Sequence, residues 1–307
     1  MKDADFLELQ AAYARESTPF WSALADQRGF LLTKEHLRKS SSAEFVPLGS
    51  VSSMSRCFAT SGTTGAPTYS YWTQDDWDFK IRTIVRALRN GFVLPERIVA
   101  LNCYSLNHLA GSIFDGVIRA LGGVSIGVGY FVKDADELAR LYRQLGCNTL
   151  IVGDSEDSYK FSVGAKRALG SLRAQGAPLS WWLSSGPLSA EARDLAEVSR
   201  VGASTSFYGC SEFGFLALGC PLDLSRYHLL GGDTRVERLS SEHASKDARF
   251  KIVVSRVGRR AEKNPLEFIP HRGSQYIGYL NGDEAAWETD PCACGIRSDR
   301  LHSIRRE

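Results

Sequence analysis

Between Arg97 and Tyr208 the sequence alternates short apolar runs with longer amphipathic ones, and glycines close most of the amphipathic runs. Arg97–Cys103, Val124–Val128, Thr149–Val152, Trp181–Ser185 and Thr205–Tyr208 read as buried strands. Trp77–Asn90, Asn107–Leu121, Asp134–Leu145, Ser162–Gln175 and Ser189–Ser199 read as helices, with Gly91, Gly122, Gly146 and Gly176 as terminators. Strands that alternate with helices through short connections are parallel neighbours, because the crossover helix must pack back on the sheet. The expected class is α/β, a parallel sheet with helices on both faces. The chain has 307 residues, enough for one large or two medium domains.

The texture changes on either side. After Cys220 come short β-rich runs, Tyr227–Leu230, Thr234–Leu239, Phe250–Ser255, Leu266–Pro270 and Tyr276–Leu280, separated by turn signals. They predict a small antiparallel or barrel-like β subdomain. Before residue 50, Phe6, Leu7, Leu9, Ala12 and Tyr13 form a helical stripe, and Ser17-Thr18-Pro19 reads as a second helix start. The expected division is 1–50, a helical segment packed on the main domain; 51–219, the α/β domain; and 220–307, the β-rich part.

Thr60-Ser61-Gly62-Thr63-Thr64-Gly65-Ala66-Pro67-Thr68 falls between two β-type runs, Arg56–Ala59 and Tyr69–Thr73, which predicts a hairpin carrying the loop at its tip. Glycines let backbone N–H groups converge into an anion-binding nest, and the hydroxyls add short donors. A polyphosphate suits such a loop. It is not a Walker A loop, since it lacks the lysine and the helix that should follow.

Thr60–Pro67 resembles the phosphate loop of the acyl-adenylate-forming superfamily, and Thr68 with the following run is similar to its phenylacetate–CoA ligase and acyl-protein synthetase branch. Tyr208-Gly209-Cys210-Ser211-Glu212 resembles the superfamily's aromatic-Gly-x-Thr/Ser-Glu motif. The resemblance implies that Thr60, Ser61, Gly62, Thr63, Thr64 and Gly65 cradle phosphates, with Thr64 catalytic. It implies further that Tyr208 stacks on adenine beside Gly209, Ser211 contacts the α-phosphate, and Glu212 is both catalytic and a Mg²⁺ ligand. Ser185 and Gly186, in the turn Leu183–Ser189, resemble the stretch lying against adenine and the acyl group. His108 resembles the residue near the carboxylate pocket; a helix cap is its other reading. Gln275 is placed where the family's Tyr-Arg-Thr-Gly-Asp stretch has its ribose-binding aspartate. Tyr104, Phe207 and Phe213 are candidate walls of an apolar acyl pocket.

The function this implies is ATP-dependent activation of an aryl or medium acyl carboxylic acid as an acyl-adenylate. Transfer to a thiol of CoA or an acyl-carrier protein follows, or to an internal thiol such as Cys210. The family's mobile C-terminal domain, which brings a lysine, is expected to be absent, so that a partner supplies it or the chain works without it. A second reading is a non-catalytic nucleotide-binding or scaffold protein.

Seven cysteines are too few and too odd a number for a disulfide framework in a chain this long, and a reduced, cytoplasmic protein is expected. Cys220, His228, Cys292 and Cys294 could form a structural Zn²⁺ site of the Cys₃His type, or be buried as small apolar groups. The net charge of +2, with no basic run, argues against a nucleic-acid partner. The N-terminus has no signal-peptide core, and no apolar run reaches a membrane-spanning length.

Overall fold

The computed structural model describes residues 3–24, 29–48, 51–60, 65–129, 132, 134–153, 164–186, 189–191, 194, 202–239, 249–264 and 267–306. The chain opens with helices α1 (Asp3–Ser17), α2 (Pro19–Ala23) and α3 (Lys34–Lys39). Strands β1 (Arg56–Ala59) and β2 (Tyr69–Trp72) then pair antiparallel as the expected hairpin. Helix and strand alternate through α4 (Gln74–Gly91), β3 (Val99–Asn102), α5 (Leu109–Ala120), β4 (Val124–Gly127), α6 (Ala135–Gln144), β5 (Thr149–Ile151), α7 (Ala165–Ala174), β6 (Trp181–Ser185) and β7 (Ala203–Cys210). The helix expected over 189–199 lies mostly outside the described residues. Strands follow to the end: β8 (Gly214–Cys220), β9 (Asp223–Leu229), β10 (Thr234–Leu239), β11 (Phe250–Arg256), β12 (Arg259–Arg260), β13 (Phe268–Ile269), β14 (Tyr279–Glu288) and β15 (Arg300–Arg306).

One 11-stranded sheet runs in the order β10-β11-β14-β15-β9-β8-β7-β6-β5-β3-β4. Its β4-β3-β5-β6-β7 half is parallel, and from β7 onward every pairing is antiparallel. The antiparallel strands expected after Cys220 thus extend the parallel sheet through β8, hydrogen-bonded edge to edge.

Strand alternation sorts the core. In the parallel half, Ala100, Ile151, Trp181 and Leu183 face α4 and α5, packing with Ile84, Leu88, Ile113 and Phe114. Leu101, Leu150 and Trp182 point the other way, onto Leu138, Tyr142, Ala168 and Leu169 of α6 and α7. Each fully buried Leu, Ile or Phe among them contributes about 1.5–3 kcal/mol. A third core joins the N-terminal helices to the antiparallel half, where Ala14, Trp21, Leu37 and Phe45 meet Tyr208, Phe213, Tyr276 and Tyr279. Trp21 Nε1 donates to the Gln275 carbonyl at 2.6 Å.

Helix ends follow local chemistry. Thr73 caps α4 by accepting from the Asp76 N–H at 3.1 Å, and Asp134 caps α6 at 2.7 Å from the Glu137 N–H. Gly91 is not the terminator expected: it lies inside α4, whose C-cap is Phe92. Its bare Cα instead admits Ile296, whose Cδ1 would stand 2.7 Å from any Cβ there.

Candidate active site

The carboxyl ends of β3, β6 and β7 meet at a cavity of about 70 Å³ lined by His108, Ala110, Ser185, Gly209, Ser211 and Phe215. Ligands of open α/β sheets gather at this edge. His108 is the N-cap of α5, its Nδ1 accepting from the Ala110 N–H at 3.3 Å. Ser185 ends β6, and its N–H donates to the Tyr104 hydroxyl at 2.8 Å. The next N–H, that of Gly186, donates to the Phe207 carbonyl at 2.6 Å. Phe215 is stacked on Phe207, with ring centroids 4.6 Å apart.

Two glycines make the turn between β7 and β8 possible. A Cβ on Gly209 would sit 2.2 Å from the Gly214 carbonyl oxygen, and Gly214 has φ +72°. The turn between them presents Ser211 and Glu212. Glu212 is only 4% exposed. Its Oε1 accepts from the Tyr279 hydroxyl at 3.1 Å and from Thr68 Oγ1 at 3.5 Å. Burial and the Glu212 charge push the Tyr279 hydroxyl far above its ordinary pKa, so it stays a donor. Among the described residues both hydrogen bonds of the carboxylate fall on Oε1, which leaves Oε2 for a hard cation.

Thr68 closes the Ser/Thr/Gly loop. Its N–H donates to Thr60 Oγ1 at 2.9 Å, and the Thr60 N–H donates to the Thr68 carbonyl at 2.8 Å. Both legs of the loop are therefore stitched together beside Glu212. Ser61, Gly62, Thr63 and Thr64 lie outside the described residues. Gly65 has φ +139° and stands beside the Arg38 guanidinium, whose Nε donates to the Ala66 carbonyl at 3.3 Å.

Two expected site residues, Gln275 and Tyr208, do not line this cavity. Gln275 is fully buried. Its amide donates to the carbonyls of His271 and Gly273 at 2.7 and 2.8 Å and accepts from Gln10 Nε2 at 2.5 Å. It clamps α1 to the segment 271–275. Tyr208 is 3% exposed and points away from the cavity, on the opposite face of β7 from Phe207. Its hydroxyl donates to Asp283 Oδ2 at 2.7 Å and accepts from Asn281 Nδ2 at 2.7 Å. Of the three candidate walls, Tyr104 and Phe207 lie in the core beneath the cavity, while Phe213 packs against Tyr276 and Tyr279.

Asp283, which the sequence analysis did not single out, meets the Tyr208 hydroxyl. Tyr279-Leu280-Asn281-Gly282-Asp283 carries the Tyr, Gly and Asp of the Tyr-Arg-Thr-Gly-Asp stretch, eight residues after the position assigned to Gln275. The structure links both ends of this string to the Tyr208–Glu212 motif, Tyr279 to Glu212 and Asp283 to Tyr208. Burial raises the Asp283 carboxyl above its ordinary value.

The four expected zinc ligands converge. Cys220 ends β8, His228 is on β9, and Cys292 and Cys294 sit on the connection between β14 and β15. Their ligand atoms all lie within 4.8 Å of one another, with Cys220 Sγ–Cys292 Sγ at 3.7 Å and Cys294 Sγ–His228 Nε2 at 3.1 Å. A tetrahedral ion with ~2.3 Å bonds to sulfur sets sulfur–sulfur edges of about 3.7–3.8 Å. Among the described residues no helix is long and apolar enough to cross a membrane.

No protein-family model matches the chain, and no curated protein is similar to it in sequence. Solved structures do match. An open conformation of 2-hydroxyisobutyryl-CoA ligase in complex with 2-HIB-AMP and CoA superposes with a TM-score of 0.76 at 15% identity, over 97% of this chain and 72% of that one. The same ligase in its thioesterification state gives 0.76 at 16% identity, over 100% of this chain and 69% of that one. O-succinylbenzoate coenzyme A synthetase from Bacillus subtilis, in complex with AMP, gives 0.53 at 14% identity over 83% and 62%. This chain thus spans about two-thirds of the length of these ligases and has the fold of that portion.

Proposed function

We propose that the protein activates a carboxylic acid with ATP as an acyl-adenylate, for transfer to the thiol of CoA or an acyl-carrier protein. The observation that carries this reading is the junction of the Thr60–Thr68 loop with Glu212, at the carboxyl edge of the parallel sheet. The similar solved structures are acyl-CoA ligases, one holding an acyl-AMP and CoA and another AMP, which supports the same chemistry.

In this reading the N–H groups and hydroxyls of Ser61–Gly65, with the Thr60 hydroxyl, would hold the β- and γ-phosphates, and Ser211 would meet the α-phosphate. The acid enters the cavity between His108 and Phe215, with its carboxylate toward the α-phosphorus. One carboxylate oxygen attacks that phosphorus, and the bond to pyrophosphate breaks. The chain contributes position and fixed dipoles rather than a covalent intermediate, which are the larger part of such rate enhancements. Glu212 would hold Mg²⁺ through Oε2, and the ion would neutralise charge on the phosphates. Asp283, rather than Gln275, would receive the ribose hydroxyls. Pyrophosphate–ATP exchange across a panel of acids tests the reading. Exchange with one acid class, abolished in Glu212→Ala, is expected; no exchange with any acid, despite bound ATP, would return the protein to the non-catalytic alternative.

Cys220, His228, Cys292 and Cys294 would hold one structural Zn²⁺, tying the β14–β15 connection to β8 and β9. Elemental analysis of purified protein should find about one zinc per chain, and none in Cys294→Ser.

A further inference from the structure

Beneath the turn that carries Glu212 lies a charged assembly sealed from water. Arg256, the last residue of β11, is 0% exposed. Its guanidinium lies over the rings of Trp72 and Phe213, 4.0 and 4.9 Å from their centroids. Nη2 donates to the main-chain carbonyl of Glu212 at 3.0 Å, and Nη1 donates to Asp233 Oδ2 at 2.7 Å. The other Asp233 oxygen accepts from Lys80 Nζ at 2.9 Å. Lys80, from α4, is also 0% exposed, and Asp233 is 2% exposed. Lys80, Asp233 and Arg256, from three separate parts of the chain, thus form one relay of contacts that ends on the Glu212 carbonyl.

Such an assembly is a poor way to gain stability alone. Removing an ion from water costs several kcal/mol, and apolar replacements of buried ion pairs are often neutral or stabilising. What the charges supply here is direction. A planar guanidinium held between two rings and anchored on Asp233 presents its remaining donors in a fixed plane. One of those donors sets the carbonyl of Glu212. The carboxylate of the same residue projects toward Tyr279 and Thr68, at the closed foot of the Ser/Thr/Gly loop. Trp72 belongs to the hairpin that bears this loop, so the guanidinium touches both halves of the site.

We propose that Arg256 is a positioning residue for Glu212, held in place by Asp233 and Lys80, and that its contribution appears in divalent-cation binding. This rests on the reading of Glu212 as the Mg²⁺ ligand. Arg256 touches neither nucleotide nor acid; it acts through the main chain of Glu212.

The test titrates Mg²⁺ at fixed ATP against wild type, Arg256→Lys and Asp233→Asn. Two readouts are taken: the Mg²⁺ midpoint for thermal protection by ATP, and the KM for Mg²⁺ against kcat in pyrophosphate exchange. A lysine keeps the charge but cannot reach Asp233 and the Glu212 carbonyl together in a fixed plane. Both variants should melt cooperatively and raise the Mg²⁺ midpoint about tenfold, as loss of one charge-assisted hydrogen bond implies. The kcat at saturating Mg²⁺ should stay close to that of wild type. A folded variant with an unshifted Mg²⁺ midpoint overturns the proposal, as does a fall in kcat alone. Failure of both variants to fold assigns the assembly a purely structural role and also overturns it. Wild-type protein that gains no protection from Mg²⁺ and ATP sinks the ligand reading of Glu212 itself; wild-type protection with unshifted variants sinks only this inference.

Discussion

Removing one hydroxyl, in Tyr208→Phe, tests how the Asp283 carboxylate is held. The phenol donates to Asp283 Oδ2 at 2.7 Å, and the residue is 3% exposed, so water does not replace the bond in the intact fold. A hydrogen bond to a charged acceptor contributes about 1.5–3 kcal/mol. Asn281 Nδ2 also reaches Asp283 Oδ2, at 3.2 Å, and keeps part of that interaction. A net loss of about 2 kcal/mol follows. Unfolding entropy of ~2.1 cal/mol/K per residue amounts to about 0.64 kcal/mol/K over this chain, so Tm should drop by about 3 °C. Calorimetry on Tyr208→Phe, Asp283→Asn and the double variant separates this bond from other effects of each change. The two substitutions should couple by at least about 1 kcal/mol. Additivity within ~0.3 kcal/mol would refute the bond as a stabilising contact. The same cycle read by ATP affinity asks whether the hydroxyl also orients Asp283 for its ligand. A variant that loses stability and keeps wild-type ATP affinity would separate Asp283 from the nucleotide.

Gly209→Ala should abolish ATP-dependent thermal protection and lower Tm sharply, because its Cβ would meet backbone at 2.2 Å and only a shift of β8 could relieve it. Lys80→Met removes the bond to one Asp233 oxygen and leaves the other paired with Arg256; denaturant unfolding should show a loss of about 1.5–3 kcal/mol, and no loss would count against the bond as a stabilising contact. Stability should also fall in acid through Asp76. Burial would raise its carboxyl, but His271 at 3.3 Å, the Thr73 hydroxyl at 2.7 Å and the Arg272 N–H at 3.0 Å outweigh this and hold it well below the usual range. A depressed folded-state pKa gives stability that is complete above the unfolded value of ~3.9 and is lost as pH falls through the folded value. Asp76→Asn should therefore flatten the acid limb of a stability–pH curve, and an unchanged limb would count against the assignment.

The parallel half was legible because its strands are continuous apolar runs and most of its helices end at glycine. Three strands outside it, β8, β12 and β15, were not. β12 is only two residues long, and β8, Gly214–Cys220, is buried at every position and so lacks the alternation of a half-buried strand. β15 carries Arg300, His302, Arg305 and Arg306, a composition that reads as surface, yet it pairs with both β14 and β9, with Leu301 fully buried and Arg300 on Glu288 at 3.0 Å. The contiguous string Gly209–Glu212 was legible, and the structure sets it at the turn between β7 and β8. Gln275 and Asp283 stand in two nearby frames, and local pattern alone does not choose between them. Phe215 was overlooked as a wall because it follows the motif, in a strand not recognised. The Lys80–Asp233–Arg256 assembly joins residues far apart in sequence, and no local pattern announces it.

The seam at β7 has a further consequence. Parallel partners bond one edge of this strand and antiparallel partners the other, while its last turn bears Ser211 and Glu212. Amide deuterium uptake along β6, β7 and β8 should thus report one shared opening event rather than two. A ligand that quiets the turn would slow uptake on both sides of the seam, and a lesion anywhere across it would be felt where the nucleotide is expected. On this expectation the two halves of the sheet open as one unit, and the turn of Ser211 and Glu212 stands on the line where they could otherwise part.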